Sequence, residues 1–511
     1  MRHPRSVVVA AVLGLAVATA GTGSAALTGP SATGPAAPAP TVLGVDPACI
    51  APAGDPEPGT PEWHERDTVN QYCASLRNKD QLSSPAFGFG NLTQGAALYA
   101  EQTAEQLAQP TEPKGGITTL IPGAKSADPF RTVDRWAAAG RGRVAPISFD
   151  SLNGATLHGH VWLPPASVPK PRGGYPGVVI TDGSVQAYEE LYFWAAQDLA
   201  EAGYMVMTYD VQGQGDSDLF GDDCPGKCSG VPYQQDYNFF QGAEDSLSFF
   251  LSTAGEPFGG SYNPYFPELD RSRIGLAGHS LGASAVSHVG QCDNRVKTIV
   301  AWDNLRAISS CDGVVIPEQY RTKNLINVPA LAVTNDYGFF TTPMRTAPDP
   351  DAKTAGYRQI RDAGLDAQIV TLRAGTHLAY TYIPLVFQSN QLGERMASYY
   401  TKAWFDLQLR GDRSGFERLT AKAFDDSVDV TSIGAGTYDP TLADPTDPYS
   451  GNVPYLIEDI PVADAVSFYY RSAYSLRDPR GTRVTCEDVR AGCGGQQPGG
   501  VGAKAATPGR S

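Results

Sequence analysis

The sequence lacks the long apolar runs that a membrane-spanning protein requires. Its one extended apolar stretch, Val7 to Ala20, follows Arg2 and Arg5 and is short for a bilayer span. Basic residues, then apolar residues, then the small residues Gly23–Ala26 are typical of a secretory signal peptide. We therefore expect a secreted, extracellular protein with no stable membrane anchor, cleaved near Ala25-Ala26.

The sequence also has fewer basic than acidic residues. The chain carries 39 Lys and Arg against 54 Asp and Glu, which gives a formal net charge of −15. A nucleic-acid partner requires a basic face that neutralises phosphates. The composition therefore argues against nucleic acid as a partner and suits a soluble extracellular protein.

Metal-binding spacings are missing as well. The cysteines number eight, an even count that favours disulfides in an exported chain. Sequence alone leaves 105 pairings open, and near neighbours are the simplest choice: Cys49–Cys73, Cys224–Cys228, Cys292–Cys311 and Cys486–Cys493. Cys224 and Cys228 could form half of a zinc site, but no second Cys or His pair has matching spacing. We expect no metal and no cofactor.

Composition and hydrophobic pattern divide the chain into six segments. The N-terminal extension contains two helical patterns, Glu62–Leu76 and Leu92–Leu107. The segments are a signal peptide (1–26), a Pro/Ala-rich linker (27–60), an N-terminal helical extension (61–142), a catalytic domain (143–410), a C-terminal extension (411–493) with one alternating strand at Ala465–Tyr474, and a disordered tail (494–511).

Residues 143–410 alternate between apolar strands and helical stretches. Strands such as Tyr175–Thr181 and Val296–Trp302 are apolar almost throughout, which indicates burial on both faces. This pattern predicts an α/β fold with a mostly parallel central sheet and helices on both faces. Ligands of such sheets bind at the carboxyl ends of the strands.

One serine lies between two glycines at such a strand end. The motif Gly278-His279-Ser280-Leu281-Gly282 follows an apolar strand and precedes small residues that begin a helix. In a chain with 55 glycines the bare G-x-S-x-G pattern is weak evidence, and the strand-to-helix context strengthens it. A tight turn exposes the serine hydroxyl, and Gly278 and Gly282 leave room for it. Ser280 is the candidate nucleophile.

A serine nucleophile needs a base, and the chain has only seven histidines. His3 lies in the signal, His64 lies far upstream, and His158 and His160 fit ordinary strand positions. Neither His279, which is inside the turn, nor His288, two helical turns further on, can reach Ser280. His377 remains, directly after a strand, and is the candidate base.

The histidine in turn needs an acid that fixes its tautomer. Asp336 follows the strand before the histidine strand and is the preferred candidate. Asp303, which follows Val296–Trp302, is the alternative, and either could instead cap a turn. For the oxyanion hole we assign the backbone amides of Leu281, at the start of a helix, and of Ser184, in the loop after Thr181.

Several motifs together resemble those of the α/β-hydrolase superfamily. They are GHSLGAS around Ser280, YDVQGQGDSD beginning at Tyr209, DGS at the oxyanion loop and LRAGTHLA around His377. The layout resembles secreted bacterial serine esterases of the dienelactone-hydrolase and polyester-hydrolase-like groups. The resemblance implies the α/β-hydrolase fold and the order Ser280, Asp336, His377. Relatives usually place the acid a residue or two later, in a G-x-x-D pattern, which leaves the acid open.

The sequence thus predicts a serine hydrolase that cleaves carboxylic esters through an acyl-enzyme. Its partner would be an ester substrate with an apolar acyl part, because aromatic residues flank the predicted site. A serine peptidase or an acyltransferase would use the same constellation. A non-catalytic secreted binding protein on this fold is the third reading.

Overall fold

A computed structural model describes residues 49, 56–83, 131–184, 188–218, 236–381, 391–426, 437–438, 440–446, 451–453 and 457–493. All of them belong to one of the two units into which the chain divides, Leu43–Ser511. Four expectations lie outside the described residues: the predicted signal peptide, the predicted disordered tail, the helix expected at Leu92–Leu107 and the pair Cys224–Cys228.

The centre of the structure is a ten-stranded sheet in the order β1-β2-β4-β3-β5-β6-β7-β8-β11-β12. The six strands from β4 to β8 in this order run parallel, and the two strands at each end are antiparallel to their neighbours. The strands are β1 Arg143–Asp150, β2 Thr156–Leu163, β3 Tyr175–Thr181, β4 Met205–Tyr209, β5 Leu269–His279, β6 Val296–Trp302, β7 Ala330–Asn335, β8 Ala367–Leu372, β11 Ala473–Arg477 and β12 Arg483–Cys486.

The central strands are buried on both faces. Every residue of β3, β4, β7 and β8 is buried, as expected for parallel strands covered by helices on both sides. By contrast, β1 alternates between buried and more exposed positions near its end, as an edge strand does. The apolar runs of the sequence therefore predicted the interior of the sheet correctly.

Helices cover both faces of the sheet. The described helices are α1 Pro61–Ser83, α2 Val133–Ala138, α3 Phe193–Glu201, α4 Asp236–Phe250, α5 Leu281–Cys292, α6 Ala355–Asp362, α7 Gln391–Phe405, α8 Arg413–Leu419 and α9 Val462–Ala465. One apolar cluster contains side chains of α3 and α7 with one face of the sheet, and the second contains side chains of α4, α5 and α6 with the other. The predicted α/β class is confirmed. Within the described chain, no helix has both the length and the apolar character needed to cross a bilayer.

The predicted C-terminal extension contributes to the main sheet. Strand β11 pairs with β8, and β12 pairs with β11. The strand expected at Ala465–Tyr474 is wrong in position, because most of that range precedes β11 and its first residue ends α9. A separate two-stranded ladder joins β9 Thr437–Tyr438 to β10 Asn452–Val453.

Three of the near-neighbour cysteine pairs form disulfides. They are Cys49–Cys73, Cys292–Cys311 and Cys486–Cys493, with Cα–Cα separations of 5.5, 5.6 and 4.7 Å. These separations lie within the usual range for disulfides. The first links residue 49 to α1, and the third closes a short loop after β12.

Candidate active site

The serine lies at a sharp turn between β5 and α5. Ser280 has φ 56° and ψ −118°, an unusual backbone conformation for a residue with a side chain. A Cβ on Gly278 would come within 2.6 Å of the Gly282 carbonyl oxygen, and one on Gly282 within 2.1 Å of the Asp182 carbonyl oxygen. The two glycines are therefore required by close backbone approaches, as the motif predicts.

His377 links Ser280 to a carboxylate. Its Nε2 lies 2.9 Å from Ser280 Oγ, and its Nδ1 lies 2.7 Å from Asp303 Oδ2. An ionised carboxylate only accepts hydrogen bonds, so Nδ1 carries the proton and Nε2 is left to accept from the serine hydroxyl. The side chains of His377 and Asp303 are only 15% and 9% exposed.

The acid in this arrangement is Asp303, which was the alternative candidate. The expectation that Asp336 orients His377 is not met, and the register of the sheet gives the reason. His279 pairs with Trp302, so that Ser280 and Asp303 leave β5 and β6 at the same level. Trp302 in turn pairs with Val333, so Asp336 lies two residues further along the neighbouring strand than the level of Asp303.

The surroundings of Asp303 keep it ionised. Thr334 Oγ1 donates to Asp303 Oδ1 at 2.6 Å, while the other oxygen faces His377. Burial opposes ionisation, but the hydrogen bond from His377 and the charge of Lys353 outweigh it and lower the pKa of Asp303 to about 2. The carboxylate is thus suited to stabilise a positive charge on His377.

Asp336 instead anchors neighbouring backbone. Its Oδ2 accepts hydrogen bonds from the Ala374 amide at 2.7 Å and from Asn70 Nδ2 at 2.8 Å. Burial raises the pKa of this carboxyl, in contrast to that of Asp303. Two aspartates at neighbouring strand ends therefore have different partners, which sequence alone could not distinguish.

The proposed oxyanion residues lie in two segments, the turn that contains Ser280 and the loop after β3. Leu281 begins α5 directly after Ser280, and Ser184 follows Gly183 at the end of β3. A Cβ on Gly183 would stand 3.2 Å from Ser280 Cβ, so this loop contacts the nucleophile turn. The loop is held by Gln214, whose Nε2 donates to the Gly183 carbonyl at 2.8 Å and to Asp182 Oδ2 at 3.0 Å.

His279 is part of the site in a way that the sequence analysis missed. Its Nε2 donates to the His377 carbonyl oxygen at 2.8 Å, so its Nδ1 accepts from the Tyr192 hydroxyl at 2.8 Å. The Tyr192 oxygen accepts the Gly183 amide at 3.0 Å. Burial lowers the pKa of His279 to about 3, which keeps the ring neutral. A neutral, buried histidine thus connects the loop at Gly183 to the backbone of His377.

An exposed aromatic side chain lies beside His377. Phe339 packs against His377 with ring centroids 4.8 Å apart, yet its side chain is 55% exposed, and the adjacent Phe340 is 52% exposed. Exposed phenylalanines next to a reactive group are typical of apolar ligand contacts. Among the described side chains, no group of three or more His, Cys, Asp or Glu could hold a metal ion.

A mostly parallel sheet with a serine turn after β5 and a histidine after β8 defines the α/β-hydrolase fold. No protein-family model matches the chain. Comparison with curated proteins finds similarity to the α/β hydrolase psoB of Aspergillus fumigatus, with 27% identity over 164 residues. The match covers 32% of this chain and 33% of that relative, so this chain matches only about a third of the relative's length. The similarity agrees with the fold.

Proposed function

We propose that the protein is a secreted serine hydrolase that cleaves carboxylic esters through an acyl-enzyme. The observation that carries this proposal is the hydrogen-bonded chain from Ser280 through His377 to Asp303. The general hydrolase activity has support from the named relative, an α/β hydrolase. The motifs' resemblance to bacterial dienelactone-hydrolase and polyester-hydrolase-like esterases favours an ester as substrate.

The reaction follows from the proton positions. Nε2 of His377 takes the Ser280 hydroxyl proton while Oγ attacks the ester carbonyl carbon. The backbone amides of Ser184 and Leu281 are our candidates to stabilise the oxyanion. The alcohol then leaves with the proton from His377, and a water molecule activated by the same nitrogen releases the acid. Asp303 stabilises the imidazolium in both halves of the reaction.

The substrate we favour has an apolar acyl part. Phe339 presents an exposed ring next to His377, and the adjacent Phe340 is exposed as well. Burying such rings against an acyl chain removes apolar surface from water. The protein's negative net charge does not favour an anionic substrate. We therefore expect a neutral ester.

Export is part of the proposal. The N-terminal pattern of a signal peptide and the three disulfides support an oxidising destination. N-terminal sequencing of protein recovered from the culture medium should begin near Ala26. A mature chain that still began at Met1 would contradict export by this signal.

Ser280→Ala tests the mechanism most directly. The variant should abolish hydrolysis of p-nitrophenyl esters of increasing acyl length and should no longer react with an organophosphate. Ser284→Ala, one turn further along α5, is the matched control and should keep both activities. Turnover by Ser280→Ala near that of the wild type would refute the mechanism.

Product analysis separates the related functions. The same assay should release free acid in water, whereas an acyltransferase would transfer the acyl group to an added alcohol and leave little acid. A serine peptidase would cleave the matching amides at comparable rates. A non-catalytic binding protein would give neither turnover nor labelling of Ser280.

A further inference from the structure

Helix α1, from the N-terminal extension, reaches the loop that carries His377. Asn70 lies within α1 and is completely buried. Its Nδ2 donates to Asp336 Oδ2 at 2.8 Å and to Tyr337 Oη at 3.0 Å, while its Oδ1 accepts from Arg373 Nε at 3.1 Å. A buried amide with these hydrogen bonds fixes the positions of all its partners.

Residues 373–377, which we call the histidine loop, depend on these partners. The Ala374 amide donates to Asp336 Oδ2, the atom that also accepts from Asn70. Ala374 has φ 54°, a left-handed conformation that is costly for alanine and needs support from its surroundings. The hydrogen bonds to Asp336 therefore help to hold this strained residue three positions before His377.

The segment after β7 holds the rest of the histidine loop. The Tyr337 amide donates to the Gly375 carbonyl at 3.0 Å, and the His377 amide donates to the Gly338 carbonyl at 2.9 Å. Tyr337 also accepts from Asn70 through its hydroxyl. Two segments thus set the backbone of His377, and Asn70 hydrogen-bonds to both. It contacts Tyr337 in the segment after β7 and Arg373 in the histidine loop.

Helix α1 is itself firmly attached. The disulfide Cys49–Cys73 ties it to residue 49, and Trp63 packs edge-on against Tyr469 at 5.8 Å. Asp67 accepts hydrogen bonds from the Tyr469 hydroxyl and the Met344 amide. A helix fixed at several points can transmit a defined position to Asn70.

We propose that α1 is a positioning element of the active site, in which Asn70, through Asp336, sets the histidine loop so that His377 contacts both Ser280 and Asp303. This inference rests on the proposed function for its catalytic consequence. Asn70 contacts neither Ser280 nor His377 in the structure, so its effect must pass through the loop.

Two variants of Asn70 test the inference. Asn70→Leu keeps the branching at Cγ and removes the hydrogen bonds, whereas Asn70→Asp keeps an oxygen for Arg373 and replaces the donor that faces Asp336. Both should lower kcat on the order of tenfold to hundredfold, because small displacements of a catalytic group are costly. KM should change little, since neither variant alters the surface that binds substrate.

Two controls separate positioning from stability. Thr68→Ala changes an exposed side chain on the same helix and should leave kcat unchanged. Leu163→Ala creates a cavity in β2, in the other half of the sheet, and should lower the melting temperature without changing kcat per folded molecule. Active-site titration with an organophosphate counts the folded, competent molecules in each sample.

Nuclear magnetic resonance gives a readout that does not need an ester. A proton shared between His377 Nδ1 and Asp303 should give a far-downfield signal in the wild type that is absent from His377→Gln. That signal should weaken or disappear in both Asn70 variants, because a displaced His377 loses its hydrogen bond to Asp303.

The outcomes distinguish the two proposals. If the wild type neither hydrolyses esters nor reacts with the organophosphate, the proposed function is wrong, while the downfield signal still tests the position of His377. If both Asn70 variants keep the wild-type signal and the wild-type kcat per competent site, the positioning inference is overturned. The same holds if they lower only the melting temperature, as Leu163→Ala does.

Discussion

At the scale of single residues, two aspartates at adjacent strand ends differ in what they face. Asp303 accepts hydrogen bonds from a threonine hydroxyl and from the His377 ring, whereas Asp336 accepts from a backbone amide and from Asn70. The first environment leaves the carboxylate free to respond to charge on the histidine. In the second environment, the carboxylate accepts the Ala374 amide and so holds the backbone of that residue in place.

Replacing each aspartate by asparagine separates these roles. Asp303→Asn should lower kcat by about four orders of magnitude, because an amide can hold His377 in the wrong tautomer and cannot stabilise its charge. Asp336→Asn should lower kcat far less, on the order of tenfold to hundredfold, through displacement of the histidine loop. Steady-state kinetics on both purified variants measures the difference. A greater loss of kcat in Asp336→Asn would indicate that Asp336, which follows β7, is the carboxylate that orients His377.

His279 should make stability depend on pH. Its pKa falls from 6.5 to about 3 on folding, so between these values the unfolded chain binds a proton that the native chain does not. Stability therefore rises with pH across this range, by an amount on the order of 5 kcal/mol for so large a change in pKa, and is lost as pH falls from about 6.5 to 3.

Urea unfolding of the wild type and His279→Gln measures this effect. The difference in free energy of unfolding between the two proteins should shrink as pH falls from 7 to 4. Taking the difference cancels the contribution of buried carboxyls that titrate in the same range, such as Asp210, whose pKa burial raises to about 8. A difference that stayed constant with pH would show that folding does not lower the pKa of His279.

At the scale of elements, the nucleophile turn depends on backbone contacts that leave no room for a methyl group. Thr181 and Asp182, at the end of β3, place their carbonyl oxygens 2.5 and 2.1 Å from a Cβ built on Gly282. Backbone oxygens in the centre of a sheet cannot move aside as the end of a flexible side chain can. The turn is therefore specific for glycine here.

Gly282→Ala should cost about 3 kcal/mol or more of stability and abolish hydrolysis, because it forces β3 away from α5. Gly255→Ala is the matched control, since its nearest heavy atom would be Thr253 Oγ1 at 3.9 Å. That variant should stay within about 0.5 kcal/mol of the wild type. Thermal unfolding and p-nitrophenyl ester turnover measure both effects, and a fully active Gly282→Ala would show that the turn tolerates a side chain.

The sequence predicted those elements that have a strong periodic signal. The sequence indicated the turn at Ser280 and the apolar strands β3, β5, β6 and β8. Burial on two faces and the glycine spacing each leave a pattern in a few consecutive residues. The choice between Asp303 and Asp336 depends on the register of β6 against β7, which no local pattern encodes. His279 was excluded as the base because it lies inside the turn, and the local sequence gives no sign of its contact with Tyr192, a residue far away in the chain.

At the scale of the whole molecule, the main sheet is completed by residues from the predicted C-terminal extension. Val466 and Leu476 are fully buried in the same apolar cluster as Trp302 and α7, and β11 covers the edge of β8. The sequence analysis placed the domain end at residue 410 because the following segment is polar and weakly periodic. An antiparallel strand at the edge of a sheet is less buried than a central strand, so its hydrophobic pattern in the sequence is weaker.

A chain that ends at Arg410 should therefore be insoluble or unfolded. It would lose the burial of Val466, Tyr474 and Leu476, worth about 1.5–3 kcal/mol each, and would expose the edge of β8 to aggregation. The sum is comparable with the entire stability of a typical domain, about 5–15 kcal/mol. Soluble yield and circular dichroism measure the result, and a chain that ends at Cys493 is the control that should fold. A soluble, active 1–410 chain would show that β11 and β12 are dispensable.

The pairing of β11 with β8 also has a consequence for the timing of biosynthesis. The ribosome makes the serine turn and the histidine loop well before it makes β11, the strand that lies against the one preceding His377. A nascent chain therefore carries every reacting side chain while its sheet still has an open edge. We therefore expect the loop that follows β8 to become fixed only after β11 has been made and has paired with β8.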